Sequence, residues 1–371
     1  MPRITVVLPV YNNEHYVEQT LRSLFAQTYS DFEIIAVDDG STDASLEILN
    51  RHAERLTVIE SAHEGPAAAR NRAIEAADSE FIAFMDADDL CSPERLEWSL
   101  AKLENERLDL VASALNFIDA KGEPLPGSWT CPSDAKTDYW GSLLERNWIG
   151  TPSVIVRSDI VRRVGLFDER FTHAEDYDLW LRAGRVSSIG YIDSPLIQCR
   201  RHGANTSINI HSHQYFERMA LQKVERMEAW KAFNKLYGGA PNATEAWIWF
   251  LLRSGDPAFV EESAFAIAQH PQSRAVRFAL GVFAWDTGRY DRAVATFQQL
   301  KDQNVASLHN FAVSLARCGD RRAALFHLEA VIGLRPDYQD AQYNLAALRA
   351  GREPRLTRRP FREQLVPMPT V

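Results

Sequence analysis

The chain has 371 residues, 46% hydrophobic and 25% charged, the balance of a globular protein long enough for two domains or three. A formal net charge of −9 excludes a general nucleic-acid binder, which needs a basic face against phosphates. A phosphate-bearing small molecule remains compatible, because metal ions and backbone N–H groups can receive it.

The opening MPRITVVLPVYNNE contains an apolar run, Ile4 to Val10, too short for a signal-peptide core with its cleavage site. It reads as a buried strand. No stretch of 18 apolar residues exists, so no transmembrane helix is expected. A cytoplasmic protein is the expectation, with peripheral membrane contact left open. Cys91, Cys131, Cys199 and Cys318 form no CxxC pair and read as reduced structural thiols.

Along the first half, strand and helix patterns alternate. EHYVEQTLRSLFAQ places Val17, Leu21, Leu24 and Phe25 on one helical face. FEIIAVDD is a second apolar strand, followed by the helix STDASLEILNRHAE with Ser41 or Asp43 as its N-cap. LTVIES predicts a third strand, GPAAARNRAIEAA an Ala-rich helix, and EFIAFMDADD a fourth strand running into acidic residues. PERLEWSLAKLEN is a helix with Pro in its first turn, and LDLVASALNFID a fifth strand. Such alternation argues an α/β, mostly parallel, doubly wound sheet with helices on both faces. Residues 119–138 read as a long loop, and 213–235 as one helix ending at Tyr237-Gly238-Gly239.

After Pro241 the pattern is almost wholly helical. Gly255, Gly288 and Gly319 each stand between two helical stretches, 31 to 33 residues apart, with Gly351 closing a half-repeat. Val260, Ala264 and Ile267, then Ala293, Phe297 and Leu300, then Ala324, Leu328 and Val331 recur at matching offsets. The period means stacked helix–turn–helix units, similar to tetratricopeptide repeats, though short and degenerate. The expected organisation is therefore an α/β domain over 1–210, a linking helix over 211–240, helical repeats over 241–351, and a basic, Pro-containing, disordered tail over 352–371. The repeats suit a protein partner, an acceptor or self-association on a concave surface, and also a plain packing extension.

Four constellations carry chemistry. VDDGSTD ends a buried strand, where open α/β sheets bind ligands, and Asp38 and Asp39 can accept from a base N–H or a ribose hydroxyl. A turn plus a helix cap is the plainer account. MDADD ends another strand. If extended, it projects Asp86 and Asp88 together, a spacing suited to a hard divalent cation, although a solvated acidic loop is also open. Asp38, Asp39, Asp86, Asp88 and Asp89 would then line one edge, and a diphosphate beside them needs a cation against the repulsion. HAEDYDLWLR sets Glu175 and Asp176 at a helix start, as dipole-favoured carboxylates or as a general base. CRRHGANTS puts His202 in a polar loop, able to meet metal or phosphate, with Arg200 or Arg201 beside a diphosphate. Tyr11 can stack on a base, and Arg70 can reach base or phosphate.

In this order, from VVLPVYNNE through VDDGSTD, ARN, FMDADD, GLFDERF, EDYDLWLR and the RRH loop, the motifs resemble family-2 inverting glycosyltransferases of the GT-A fold over residues 3–207. The resemblance implies that Pro9, Tyr11, Asp38, Asp39 and Arg70 form the base pocket. Asp86 would bind ribose or a metal-bound water, Asp88 would bind Mn2+ or Mg2+ directly, and His202 would assist the metal or diphosphate. Asp176 matches the family's base, with Glu175 beside it. The implied enzyme moves a hexosyl or N-acetylhexosaminyl group, with UDP-sugars the commonest donors, to a glycan, lipid-linked or protein acceptor, as in cell-surface glycan synthesis. The QxxRW motif of processive synthases is absent, which speaks against long-polymer synthesis. Two other classes stay open: a nucleotidyltransferase-like enzyme on the same acidic edge, and an inactive interaction protein acting through its repeats.

Overall fold

The computed structural model describes all residues except 134, 136–137, 204, 206–209, 302–303, 337 and 358–371. It divides into two compact units, Met1–Gly238 and a second that begins at Gly239.

The first unit is built on a nine-stranded sheet. Its elements run β1 (Ile4–Val10), α1 (Val17–Phe25), β2 (Phe32–Asp38), α2 (Ser45–Asn50), β3 (Thr57–Glu60), α3 (Pro66–Ala76), β4 (Phe81–Phe84), β5 (Leu90–Cys91), α4 (Arg95–Asn105), β6 (Leu110–Ile118) and β7 (Pro124–Trp129). There follow α5 (Tyr139–Glu145), a 3-10 turn at Thr151–Ser153, β8 (Ile155–Arg157), α6 (Ser158–Arg163), α7 (Glu175–Gly184), β9 (Ile189–Arg200), α8 (Ile210–Gln222) and α9 (Arg226–Tyr237). The strand order is β3-β2-β1-β4-β8-β6-β9-β5, with β7 on β6. Strands β1 to β4, β6 and β9 point one way, and β5, β7 and β8 run against them. This is the mixed, mostly co-directional sheet of the GT-A fold.

The apolar, β-branched run of β1 lies inside the sheet between β2 and β4, and Ile4, Val6, Val7 and Leu8 are fully buried. Chain order reverses around this strand, with β2 on one side and β4 on the other. Such a switch point opens a crevice at the strands' carboxyl ends. Pro9 fits there for a backbone reason. Val7 gives its carbonyl to Met85 N–H on the β4 side, and Val10 gives its carbonyl to Asp39 N–H on the β2 side. Residue 9 therefore faces β4, which has already ended at Phe84, and its missing N–H costs no ladder bond.

Three local expectations change. Residues 124–129, read as loop, form edge strand β7 against β6; its Pro124 and Gly127 hid the strand signal, but an outer edge tolerates both. Asp134, Lys136 and Thr137 of that loop lie outside the described residues. The single helix over 211–240 is two helices, α8 and α9, broken around Lys223–Glu225, and both belong to the first unit up to Gly238. The Lys223 ammonium holds Asp168 and Asp178 at the break. Nor is Ser41 or Asp43 a simple cap of α2. The segments 12–14 and 41–45 zip together: Ser41 accepts Asn12 N–H, Asp43 accepts Glu14 and Ser45 N–H, and Glu14 accepts Ala44 N–H.

The second unit contains α10 (Asn242–Ser254), α11 (Phe259–Gln269), α12 (Arg274–Asp286), α13 (Tyr290–Gln298), α14 (Val305–Arg317), α15 (Arg321–Leu334) and α16 (Gln339–Arg349). Gly255, Gly288, Gly319 and Gly351 each follow a helix with φ of +69°, +72°, +92° and +75°, a left-handed turn that L side chains resist. Ala293, Phe297, Leu300, Ala324, Leu328 and Val331 are buried. In the first hairpin the buried set is Phe259, Ser263 and Ala266, one residue earlier than the expected Val260, Ala264 and Ile267; Val260 is exposed. Bulky Phe259 takes the inward position there and rotates the register. Residues 352–357, expected to be disordered, are described and hydrogen-bonded; only 358–371 of the tail fall outside the description.

Candidate active site

The site collects at the carboxyl ends of β1, β2 and β4 and at the start of α7. At the end of β2, Asp38 and Asp39 are both 2% exposed. Asp38 accepts Ser41 N–H at 3.0 Å through one oxygen, while its Oδ1 is buried with no partner among the described residues. A buried acceptor left open is costly, and an incoming N–H or hydroxyl would satisfy it. Asp39 is engaged differently. It accepts the N–H groups of Glu64 and Gly65, each at 2.9 Å, and its Oδ2 lies 3.0 Å from His63 Nδ1. That imidazole stacks on the half-exposed Tyr11, with ring centroids 3.9 Å apart. Pro9, partly exposed at the end of β1, lies two residues before Tyr11.

Beyond β4 the chain turns. Asp89 N–H donates to the Asp86 carbonyl, so residues 85–89 are not extended and the alternation expected for Asp86 and Asp88 does not apply. The two carboxylates take different partners. Asp86 meets Arg70 Nη2 at 2.8 Å. Asp88 Oδ2 meets His202 Nε2 at 2.9 Å and accepts Asn205 Nδ2 at 3.3 Å. The His202 ring stacks on Tyr16, centroids 4.7 Å apart. Asp89 is buried and accepts Arg200 N–H at 2.8 Å, which makes it a brace between this turn and β9. Burial pushes the Asp86 carboxyl above the ordinary carboxylate range, against Arg70, and pushes Asp89 well above it, with Asp88 and Asp86 adding to the effect.

Arg70 joins the two halves. From α3 it donates 2.8 Å bonds to Asp86 through Nη2 and to Glu175 through Nη1, with its side chain 7% exposed and its Nε buried without a partner among the described residues. It sits as a bridge between strand end and helix start, 105 residues apart in the chain.

Glu175 and Asp176 open α7, and the residue before them, Ala174, takes a left-handed conformation at φ 56°. That conformation strains a residue with a Cβ and fixes how the chain enters the helix. Asp176 Oδ2 accepts Thr151 Oγ1 at 2.9 Å and Asn147 Nδ2 at 3.3 Å. The helix N-terminus favours its charge, but burial and the neighbouring Glu175 win, and its pKa is pushed up to about 7. One turn further along α7, Trp180 packs edge to face with Phe84, which packs edge to face with Phe167.

The Arg200 guanidinium is engaged by protein groups. It is fully buried, and donates to the Asp88 carbonyl at 2.7 Å and to Gln19 at 3.0 Å. The five-carboxylate edge is thus less negative than a count of aspartates suggests, because backbone N–H groups and Arg70 compensate much of it. Ala204 and 206–209 of the RRH loop lie outside the described residues. Sequence reasoning missed His63, Tyr16, Asn147, Thr151 and Asn205. Asn205 lies within the CRRHGANTS motif but was passed over for His202, and the other four enter the site only through tertiary contacts. Among the described residues, no group of three or more His, Cys, Asp or Glu is arranged to hold a metal ion. Asp88 and His202 make a two-residue set.

The family model described as glycosyl transferase family 2 matches residues 5–171. An uncharacterised glycosyltransferase of Rickettsia typhi is 31% identical over 242 residues, 63% of this chain and 72% of the relative. Another, of Haemophilus influenzae, is 28% identical over 248 residues, 63% of this chain and 76% of its own length. Among solved structures, residues 1–349 of S. aureus TarS in complex with UDP-GlcNAc are similar with a TM-score of 0.52 at 17% identity, over 94% of this chain and 92% of that one. This last likeness is one of fold. The chain belongs to glycosyl transferase family 2. It is a glycosyltransferase. Among the described residues no helix is long and apolar enough to cross a membrane.

Proposed function

We propose that this glycosyltransferase inverts: it moves a sugar from a nucleoside-diphosphate sugar, with a UDP-sugar the favoured donor, to a hydroxyl acceptor, with Asp176 as general base. The observation that carries the proposal is the Arg70 bridge, which brings the acidic turn after β4 and the carboxylates of α7 into one site. The nucleoside would meet Tyr11, Pro9 and the open acceptor of Asp38. Asp39 would act mainly by holding the 63–65 loop against it.

Asp88 and His202 fit a divalent cation such as Mn2+ or Mg2+, a carboxylate oxygen and an imidazole nitrogen side by side. When bound, such an ion would offset the charge of a leaving diphosphate. Asp176, ionised and held by Thr151 and Asn147, takes the acceptor's hydroxyl proton. The oxygen then bonds to the anomeric carbon as the carbon–oxygen bond to the diphosphate breaks, its electron pair leaving with the phosphate. Arg70 keeps Glu175 and Asp86 in place throughout.

A general base with a pKa near 7 ties activity to pH with a definite sign. kcat/KM falls as pH drops through about 7, because Asp176 becomes protonated. Asp176→Asn should lower turnover by about a hundredfold or more and erase that acidic limb. Near-normal turnover, or an unchanged limb, would remove Asp176 from the role. Released nucleoside diphosphate, not pyrophosphate, separates sugar transfer from nucleotidyl transfer.

The helical unit is proposed to be a short tetratricopeptide-like array. The support is its left-handed glycine turns at a near-constant period and the inward positions of its second and third hairpins. The acceptor is proposed to be a glycan, lipid-linked sugar or protein in cell-surface glycan assembly.

A further inference from the structure

The second unit holds a buried polar cluster that sugar transfer does not use. Asn310 on α14 and Asn344 on α16 are fully buried, and so is His309. Each asparagine grips the backbone of one residue beyond α16 through both its donor and its acceptor. Asn310 Nδ2 donates to the Thr357 carbonyl at 2.7 Å, and its Oδ1 accepts Thr357 N–H at 2.9 Å. Asn344 does the same to Arg355, at 2.7 Å both ways. The gripped residues are two apart, the repeat of an extended chain. Between them Leu356 is buried, while Arg355 points outward over the Tyr343 ring at 4.2 Å.

The cluster also reads a side chain. Thr357 is fully buried, and its hydroxyl lies 2.5 Å from Asp340 Oδ2, 2.9 Å from Tyr338 OH and 3.2 Å from His309 Nδ1. Upstream, Glu353 pairs with Arg317. A segment kept only for packing would be held by apolar side chains. Here one leucine is buried, and the segment is held besides by backbone-directed hydrogen bonds, the Thr357 hydroxyl, the Arg355 contact with Tyr343 and the Glu353–Arg317 pair. Both carboxamides also touch His309, Asn344 Nδ2 at 2.8 Å and Asn310 Oδ1 at 3.1 Å, but without the segment each would lose both of its backbone partners, so the groove is suited to an extended backbone.

We propose that the groove between α14 and α16 is a recognition site for an extended polypeptide presenting a threonine hydroxyl to Asp340, and that the chain's own Glu353–Thr357 fills it in cis. The segment is a removable strap. It has no helical or sheet pairing of its own, so a change at Thr357 frees it and empties the groove.

The test uses the full chain. Thr357→Glu sets a carboxylate against Asp340 and should release the strap, with trypsin cutting at Arg352 or Arg355 at least tenfold faster than in the wild type. A fluorescein-labelled peptide of residues 352–361 should then bind this variant at least tenfold more tightly than it binds the wild type. Asn344→Ala, added to that variant, should abolish the binding. Thr357→Ser should behave as wild type. A released strap with native helix content by circular dichroism and no peptide binding would overturn the proposal. So would equal binding by wild type and variant, a strap that stays protected in Thr357→Glu, or dimers in which the strap is exchanged between copies. If Thr357→Glu fails to fold, a protease site inserted after Gly351 and cut in the folded chain serves instead. The cut segment should exchange for labelled peptide, and at least tenfold less well for a peptide with Ala at the threonine position. A segment that never exchanges would refute the idea.

Discussion

The acidic ends of β2 and β4 look alike in the sequence, two aspartate-rich turns after apolar strands, yet the structure uses them in opposite ways. After β2, Asp39 faces backbone N–H groups and one imidazole, and only Asp38 Oδ1 is left to act on anything else. After β4, Asp86 and Asp88 face the side chains of Arg70 and His202. A carboxylate spent on backbone amides fixes a loop. One facing side chains, as Asp88 faces His202, can share those partners with a ligand. The first cluster fixes the loop at residues 63–65, and the second is proposed to meet the charge of a ligand.

Three substitutions probe this difference beyond the loss expected for Asp176→Asn. Asp88→Ala removes a proposed direct ligand and should abolish the Mn2+-dependent part of UDP binding. Calorimetry with and without Mn2+ reads it, and an unchanged Mn2+-dependent affinity would place the charge site elsewhere. Asp39→Asn should act on the fold: removing a charge that accepts two N–H bonds costs about 1.5 to 3 kcal/mol, visible as a lowered denaturation midpoint. Full stability in that variant would dissolve the distinction between the two ends. Asp43→Ala, which frees the N–H groups of Glu14 and Ser45, should cost about 1 kcal/mol, with little change in nucleotide affinity.

The raised pKa of Asp176 adds a stability effect of known sign. The unfolded chain releases this proton in the ordinary carboxylate range and the folded chain only near 7, so this group's contribution to stability declines as pH rises between the two. Asp176→Asn should flatten that slope in urea titrations at several pH values. A slope unchanged from wild type would assign it to other groups.

Much of the first unit was legible. β1, β2, α3, β4 and α7 follow from apolar runs of the right length and period, and their polar ends carry the candidate site residues. Edge strand β7 was not legible, because pairing with β6 and not its own composition makes it a strand. The break between α8 and α9 was hidden for a similar reason, since it is held by Asp168 and Asp178, which lie far upstream of Lys223 in the chain. In the second unit the glycine period was plain, but the one-residue shift in α11 came from Phe259 competing for the inward position.

Local pattern alone determined which carboxylates exist and which strand ends carry them, because strand periodicity and helix starts are short-range properties. Which carboxylate is free to act was decided only by tertiary structure. Arg70 reaches Glu175 across 105 residues, Asp88 reaches His202 across 114, and Asn310 reaches Thr357 across 47. Charge compensation and desolvation depend on distances in space, and no local pattern encodes them.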